Sequence, residues 1–120
     1  MKLKVYEYSG CSTCKKALKY LDAKGVDYQK LPIVDQPPSK AELKRMLGHL
    51  GGDFKKLFNT SGLVYRELKV GDRIKAGMTE DEAIDLLSKH GKLIKRPFLL
   101  APQGGAVGFK EPEWKKILIG

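Results

Sequence analysis

The stretch KVYEYSGCSTCKKALKYL (residues 4–21) decides the fold of this 120-residue chain. Residues 3–8 alternate in polarity and are rich in Val and Tyr, which predicts a β-strand. After the Ser9-Gly10 turn, apolar residues recur at helical spacing from residue 12 to about residue 24, which predicts a helix. Gly25 is predicted to end that helix, because glycine is the residue that most often closes a helix C-terminus.

Outward from this opening, residues 26–34 read as a second strand, so the chain begins with a βαβ unit. Two capping-box sequences, at residues 39–42 and 79–82, each begin a helix, because the hydroxyl and the glutamate satisfy free backbone amides. A further short helix is predicted for residues 53–58. Residues 38–91 are therefore helical in character and contain no convincing strand.

Strand character returns near the C-terminus. PFLLA (residues 97–101) predicts a third strand, Gln103-Gly104-Gly105 a hairpin turn, and residues 106–109 a fourth strand. Pro112 suits the first turn of a final helix. The order βαβ, helical insert, ββα is that of thioredoxin with a helical block between its halves. It predicts an α/β, thioredoxin-like fold with a mixed four-stranded sheet.

The composition is that of one basic, folded domain. A length of 120 residues suits a single domain, with a core at about 1–36 and 93–120 and a helical insert at about 37–92. The net charge of +9 indicates acidic or anionic partners without saying which. The lysines are scattered in pairs and form no basic stripe interleaved with aromatic residues, so we expect no specific nucleic-acid partner.

The sequence also indicates the cellular compartment, through its two thiols and through the absence of a membrane span or signal-peptide pattern. No apolar run approaches the roughly 18 residues of a membrane span, and the start MKLKVYEYSG has no signal-peptide core. Two closely spaced cysteines are too few for a disulfide scaffold and indicate a reducing compartment where thiols do chemistry. We therefore expect a cytoplasmic protein with no membrane partner.

The motif Cys11-Ser12-Thr13-Cys14 lies where the first strand ends and the first helix begins. The free amides and partial positive charge of a helix start favour a thiolate, and Lys15 adds positive charge nearby. We expect Cys11 to be the exposed, attacking sulfur and Cys14, one turn inward, to be the resolving sulfur. The two-residue spacer lets one helical turn bring the sulfurs within bonding reach.

Three interpretations of this motif stay open. A redox-active dithiol is favoured, because a CxxC motif in a βαβ context of a reducing compartment is typical of redox proteins. A metal site needs about four ligands, and the remaining candidates, His49 and His90, are far away in sequence, so no metal is expected. The third interpretation is a pair of incidental thiols, with Cys14 facing the core.

Pro97 is the second element of the predicted site. It opens the strand that, in this topology, lies beside the first strand. A cis proline there would place its backbone next to Cys11 and hold an incoming thiol or peptide, and we favour this over an ordinary proline at a strand start.

With these motifs in hand, the chain resembles the arsenate reductase (ArsC)/Spx/YffB family over nearly its full length. The resemblance is carried by CSTCKKALKYL (11–21), LFNTSGLVYREL (57–68), LIKRPFLL (93–100) and VGFKEPEW (107–114). It implies a thioredoxin-like fold with a helical insert and a thiol–disulfide oxidoreductase similar to glutaredoxin-coupled arsenate reductase. It also implies no bound cofactor, with glutathione, glutaredoxin or thioredoxin as the reductant.

The resemblance further implies a set of site residues. Arsenate reductases of this family are expected to use one cysteine, matched by Cys11, and three arginines that hold the oxyanion. Arg96 matches one of these arginines, whereas Ser61 and Lys110 stand at the other two positions. Lys110 keeps a charge without the planar donor set of arginine, and Arg66 is a nearby substitute for Ser61. The residues implied for substrate or oxyanion binding are Ser12, Thr13, Lys15, Arg96, Pro97 and Lys110.

The second cysteine makes the chain similar to Spx as well. Spx is a thiol-switch regulator that binds the C-terminal domain of the RNA polymerase α subunit. In an ungapped alignment, Gly48 and Asp53 stand where Spx is expected to have its polymerase-contacting arginine and glycine. A redox-switched regulator is therefore the alternative to an enzyme, with the disulfide changing a partner surface.

Overall fold

The structure, a computed structural model, describes residues 3–119, so both ends of the predicted domain lie outside the described residues. The strands are β1 (Leu3–Glu7), β2 (Tyr28–Pro32), β3 (Phe98–Ala101) and β4 (Gly104–Val107). The helices are α1 (Ser12–Ala23), α2 (Lys40–His49), α3 (Leu63–Glu67), α4 (Val70–Lys75), α5 (Glu80–Lys89) and α6 (Glu111–Ile119). Short 3₁₀ turns cover Phe54–Leu57 and Gly91–Leu93. None of the helices within residues 3–119 has the length and apolar character that crossing a membrane requires.

The four strands of the described chain form one mixed sheet in the order β2-β1-β3-β4. β1 runs parallel to β2 and antiparallel to β3, and β3 and β4 form an antiparallel hairpin. The predicted α/β class, the mixed four-stranded sheet and the order βαβ, helical insert, ββα are confirmed. Because β1 lies between β2 and β3, the cysteine motif that follows β1 lies at the end of an inner strand of the sheet.

Helix α1 ends as predicted. Gly25 has φ +67°, and the amide of Val26 bonds to the carbonyl of Leu21 at 3.1 Å, which closes the last turn. Val26 is thus part of the helix closure, and Pro32, which has no N–H, is the last residue of β2. For these reasons the second strand is shorter than the predicted 26–34.

Each face of the sheet has its own apolar cluster. Ala17 and Leu21 of α1 and Trp114 of α6 pack with Leu99 on one face. The other face carries the cluster that includes Leu43 of α2, together with Ile84 and Leu87 of α5 and Phe98 of β3. All of these residues are at most 2% exposed. The sheet is therefore covered on both sides, and its strand ends are where a reactive group can reach solvent.

Glu42 joins helix α2 to strand β1. Its carboxylate accepts hydrogen bonds from the Tyr6 hydroxyl at 2.7 Å, the Lys4 ammonium at 3.0 Å and the Ser39 amide at 3.1 Å. The Ser39 hydroxyl in return accepts from the Glu42 amide at 3.1 Å, so the predicted capping box is present. One side chain thus both starts the helix and fixes it to the central part of the sheet.

The helical segment between β2 and β3 closes on itself just before Arg96. The Asn59 amide bonds to the Leu93 carbonyl at 2.7 Å, and the Lys95 amide bonds to the Leu57 carbonyl at 2.8 Å. This short antiparallel contact brings the end of the helical segment back to the sheet at the start of β3.

The predicted hairpin turn is misplaced. Gly104 and Gly105 lie in β4, and the turn falls at Pro102-Gln103 instead. Gly105 is needed for packing, because a Cβ there would lie 3.0 Å from both His49 and Met46, whereas a Cβ on Gly104 would lie 3.5 Å from Ile117, an ordinary contact distance. Gly105 therefore marks a place where helix α2 approaches the strand closely.

Candidate dithiol active site

The two cysteines stand in one turn of chain but in different surroundings. Cys11 is the N-cap of α1, and its Sγ accepts a hydrogen bond from the Cys14 amide at 3.3 Å. The Cys11 amide bonds back to the Tyr8 carbonyl at 3.0 Å, which fixes the loop between β1 and α1. Cys11 is partly exposed, whereas Cys14 is 0% exposed. A substrate can therefore meet Cys11 first and cannot meet Cys14 directly.

The pKa of the Cys14 thiol is raised from its ordinary 9.0 to about 12, and burial is the largest cause. A hydrogen bond with Cys11 and the negative charges of Cys11 and Glu7 act in the same direction, while a backbone hydrogen bond with Tyr8 opposes them. Cys14 is thus a thiol at neutral pH, held against the Cys11 sulfur. Cys11 is therefore one of the causes that keep Cys14 protonated.

The start of α1 keeps its positive character. No acidic side chain lies in its first turn, and Ser12, Thr13 and Lys15 are exposed around Cys11. The partial charge of the helix start is therefore not neutralised by α1 itself, which favours an anion at Cys11.

Pro97 stands in the position that the topology predicts. The Arg96-Pro97 peptide bond is cis, as expected, and Pro97 directly precedes β3, the neighbour of β1. The Pro97 carbonyl accepts a hydrogen bond from the Gly108 amide at 2.9 Å, so it is fixed by the chain that follows β4.

Arg96 is half-buried beside Tyr8. Its guanidinium carbon lies 4.6 Å from the centre of the Tyr8 ring, and its Nη1 donates to the Lys92 carbonyl at 3.4 Å. No carboxylate among residues 3–119 forms an ion pair with Arg96. The positive charge of Arg96 is therefore available to an anion.

The other basic and polar residues implied by the resemblance are less closely tied to the cysteines. Lys110 is exposed just before α6, and Arg66 is exposed on α3. The Ser61 hydroxyl donates to the Asn59 side chain at 3.3 Å. Within the described chain no hydrogen bond or ion pair joins these three side chains to Cys11, and their roles in substrate binding stay predictions.

The sequence predicts Tyr8 only as the last residue of the first strand, whereas in the structure Tyr8 follows β1 and its ring stacks on Arg96. Its position two residues before Gly10 and three before Cys11 was the available signal. A groove of about 250 Å³ opens beside Tyr8 and is also lined by Ser9, Asp35 and Lys92. A larger groove of about 440 Å³, between α2, β4 and α6, includes neither cysteine in its lining.

No group of three or more His, Cys, Asp or Glu side chains in the described part of the chain is placed to hold a metal ion. The structure places the dithiol and Tyr8 after the end of β1, and Arg96 and the cis proline just before the start of the neighbouring β3.

A CxxC pair at the start of the helix that follows β1, with a cis proline just before the neighbouring strand β3, defines a thioredoxin-like dithiol protein. The sequence profile of the ArsC family matches residues 6–117. The chain therefore belongs to the ArsC family.

Two similar proteins cover almost the whole chain. The uncharacterized protein YusI of Bacillus subtilis is 44% identical over 97% of this chain and 98% of its own length. The crystal structure of an ArsC family related protein from Bacteroides fragilis superposes with a TM-score of 0.90 at 44% identity, covering 98% of each chain. The predicted family and the thioredoxin-like fold are confirmed by these matches.

More distant relatives include both functional types that the sequence suggested. An arsenate reductase of Rhizobium meliloti is 29% identical over 87% of this chain and 72% of its own length. The global transcriptional regulator Spx of Streptococcus pyogenes is 28% identical over 90% of this chain and 78% of its own length. These relationships support a thiol oxidoreductase or an Spx-like regulator as the class of function.

Proposed function

We propose that the protein is a thiol–disulfide oxidoreductase in which Cys11 is the nucleophile and Cys14 the resolving thiol. The observation that carries the proposal is the asymmetry of the pair: a partly exposed sulfur at a helix start above a buried thiol that stays protonated. A buried Cys14 alone would also suit incidental thiols. The Cys14 amide that donates to the Cys11 sulfur and the cis proline just before β3 favour redox chemistry instead.

The first step uses Cys11 alone. The Cys11 thiolate attacks one sulfur of a substrate disulfide, a mixed disulfide forms, and the other sulfur leaves as a thiolate. The free amides at the start of α1 and the Arg96 charge stabilise the anions on either side of this step.

The second step depends on the state of Cys14. Once Cys11 is in the mixed disulfide it carries no negative charge, so one of the causes that raise the Cys14 pKa is gone. The Cys14 thiol then attacks the Cys11 sulfur, and its proton passes to water as the new bond forms. The Cys11–Cys14 disulfide forms and the second substrate thiolate leaves, so the substrate gains two electrons and the dithiol loses two.

A thiol reductant closes the cycle. Glutathione, glutaredoxin or thioredoxin supplies two electrons and returns the redox-active disulfide to the dithiol. This cycle requires a reducing compartment, and we place the protein in the cytoplasm for that reason.

We favour a disulfide or a glutathione adduct over arsenate as the substrate. Arsenate binding in the family is expected to use three arginines, and Ser61 and Lys110 replace two of them here. Lys110 lacks the two-pronged donor geometry and Ser61 has no charge, which weakens the binding of a compact oxyanion.

The test is a reductase assay with a glutathione mixed disulfide and with arsenate, coupled separately to glutaredoxin and to thioredoxin. We expect Cys11→Ser to abolish turnover. We expect Cys14→Ser to accumulate a mixed disulfide on Cys11, visible as added mass in a mass spectrum. Full turnover by Cys11→Ser would show that the proposed cycle is wrong, and arsenate turnover as fast as disulfide turnover would contradict the substrate preference.

An Spx-like regulator is the second candidate, supported by the Spx relatives. Gly48 and Asp53 stand where Spx is expected to have its contacting arginine and glycine, and here Asp53 caps a 3₁₀ turn by accepting from the Lys55 amide. A pull-down with the C-terminal domain of the RNA polymerase α subunit, using reduced and oxidised protein, tests this candidate. Retention that depends on the Cys11–Cys14 disulfide would favour the regulator, and no retention in either state would exclude it.

A further inference from the structure

We propose that Tyr8 positions the Arg96 guanidinium beside Cys11, so that the site favours disulfides that carry negative charge near the reacting sulfur. This inference rests on the proposed function, because it requires Cys11 to react with a disulfide. It assigns a role to an aromatic side chain outside the CxxC motif and the cis proline.

The ring of Tyr8 holds the Arg96 charge. A guanidinium carbon 4.6 Å from a ring centre is within the range of a cation–π interaction, which reaches to about 6 Å. Of the N–H donors of Arg96, one is used by the Lys92 carbonyl, and no acidic side chain of the described chain takes the others. The ring orients the guanidinium without neutralising it, whereas a carboxylate partner would compete with an anionic substrate.

Tyr8 is also fixed to the cysteine loop. Its carbonyl accepts the Cys11 amide at 3.0 Å. A Cβ on Gly10 would lie 3.2 Å from Cε2 of the Tyr8 ring, so the absence of a side chain at Gly10 leaves room for the ring. The rest of the ring packs against the apolar cluster on the α2 and α5 side of the sheet. One residue therefore sets where both Cys11 and Arg96 lie.

The charges around Arg96 indicate which kind of disulfide the site would bind. A half-buried guanidinium with free donors, stacked on the ring of the residue whose carbonyl binds the Cys11 amide, suits a carboxylate carried close to the disulfide. Lys92, at the edge of the adjoining groove, adds a second positive charge, although Glu7 and Asp35 line the same groove. The expected substrates are small thiol compounds with a carboxylate, bound as disulfides.

Two chromogenic disulfides test the idea: dithiobis(nitrobenzoate), which carries two negative charges, and dithiodipyridine, which is neutral. The quantity measured is the ratio of the second-order rate constants of Cys11 with the anionic and the neutral reagent at low salt. We expect Arg96→Gln and Tyr8→Leu each to lower this ratio about two- to fivefold. Tyr8→Phe, which keeps the ring, should retain the wild-type ratio. In the double variant, adding Tyr8→Leu to Arg96→Gln should lower the ratio little further, because both changes act through the same guanidinium.

A matched control is available on α1. Tyr20 also lies beneath a cation, with the Lys24 ammonium 5.5 Å from its ring centre, but it belongs to the other apolar cluster. Tyr20→Leu should leave the ratio unchanged. If Tyr8→Leu does not fold, Tyr8→Met removes the ring while keeping much of its bulk, and the same ratio is measured.

Each outcome separates the two proposals. Wild-type protein whose Cys11 reacts with neither reagent would overturn the proposed function. A normal ratio in Arg96→Gln would show that Arg96 does not serve the anion, and a normal ratio in a folded Tyr8→Leu or Tyr8→Met would show that Tyr8 does not position it. A lowered ratio in Tyr8→Phe would assign the effect to the hydroxyl and overturn the role of the ring.

Discussion

Replacing Glu42 by Gln tests whether the contact between α2 and β1 stabilises the fold. The amide oxygen of Gln can still accept from Tyr6 and Ser39, but its NH₂ group would face the Lys4 ammonium. Hydrogen bonds to charged groups contribute about 1.5–3 kcal/mol and neutral ones about 0.5–1.5 kcal/mol, while a partly exposed ion pair adds up to about 1 kcal/mol. The buried Tyr6 bond and the Lys4 pair together predict a loss of about 2 kcal/mol.

The loss should depend on pH. Burial raises the pKa of Glu42, but hydrogen bonds from Tyr6, Ser39 and Lys4 outweigh burial and hold the pKa below its usual value of 4.5. A carboxyl whose folded pKa is depressed stabilises the protein above its unfolded pKa, and that stabilisation disappears as pH falls through the folded value. The difference between wild type and Glu42→Gln is therefore expected at pH 7 and should be smaller at an acid pH below 4.5.

The assay is urea denaturation followed by circular dichroism at both pH values. We expect a lower midpoint with an unchanged slope, because the exposed area on unfolding is the same. Glu67→Gln is the matched control, since Glu67 is exposed on α3 and makes no hydrogen bond or ion pair within the described chain. An unchanged midpoint at pH 7, or a loss equally large in acid, would refute the reasoning.

Three further outcomes are expected. Gly91→Ala should cost at least about 2–3 kcal/mol in thermal or urea unfolding, because a Cβ would overlap the Ile33 carbonyl and lie 2.9 Å from the Val34 Cα; a wild-type midpoint would contradict this. Gly48→Ala should instead stabilise by about 0.5–1 kcal/mol, because Gly48 lies in α2 with nothing within 4 Å of a Cβ, and a loss of stability would show unseen crowding. In a Cys11→Ser variant, Cys14 should resist iodoacetamide at about pH 8 and become labelled in urea, because burial is the main cause of its raised pKa; fast labelling of the folded protein would contradict its burial.

Most of the fold was visible in the sequence, because its elements have local signals. The capping box at residues 39–42, the N-cap at Thr79, the helix closure at Gly25 and the order of strands and helices depend on residues close together in the chain. At residues 79–82 the predicted box is half formed, because Glu82 accepts from the Thr79 hydroxyl and not from its amide. The sequence places the turn wrongly at Gly104-Gly105 because the cause of a glycine at position 105 is distant: the need for a small residue there comes from His49 and Met46, which approach β4 from α2. Lys69, whose φ of 51° separates α3 from α4, carries no sequence signal for that conformation.

The candidate site also has one part that local sequence signals predict and one part that long-range contacts determine. A sequence motif and its position on a strand–helix junction were enough to place Cys11 and Cys14 in different environments, as the structure shows. The contact of Tyr8 with Arg96 joins residues 88 positions apart, so only the pairing of β1 with β3 reveals it. Long-range partners of a short motif are set by topology, which local patterns do not encode.

The outer position of β2 in the sheet affects the tendency of the protein to aggregate. A strand at a sheet edge offers free amides and carbonyls that a strand from another molecule can pair with, which leads to aggregation. Here the edge is only five residues long, carries the exposed charge of Lys30, and ends in Pro32, which has no amide to offer. These features of β2 discourage pairing with a strand of another molecule. The end of β1, where the cysteine loop begins, stays open to substrate.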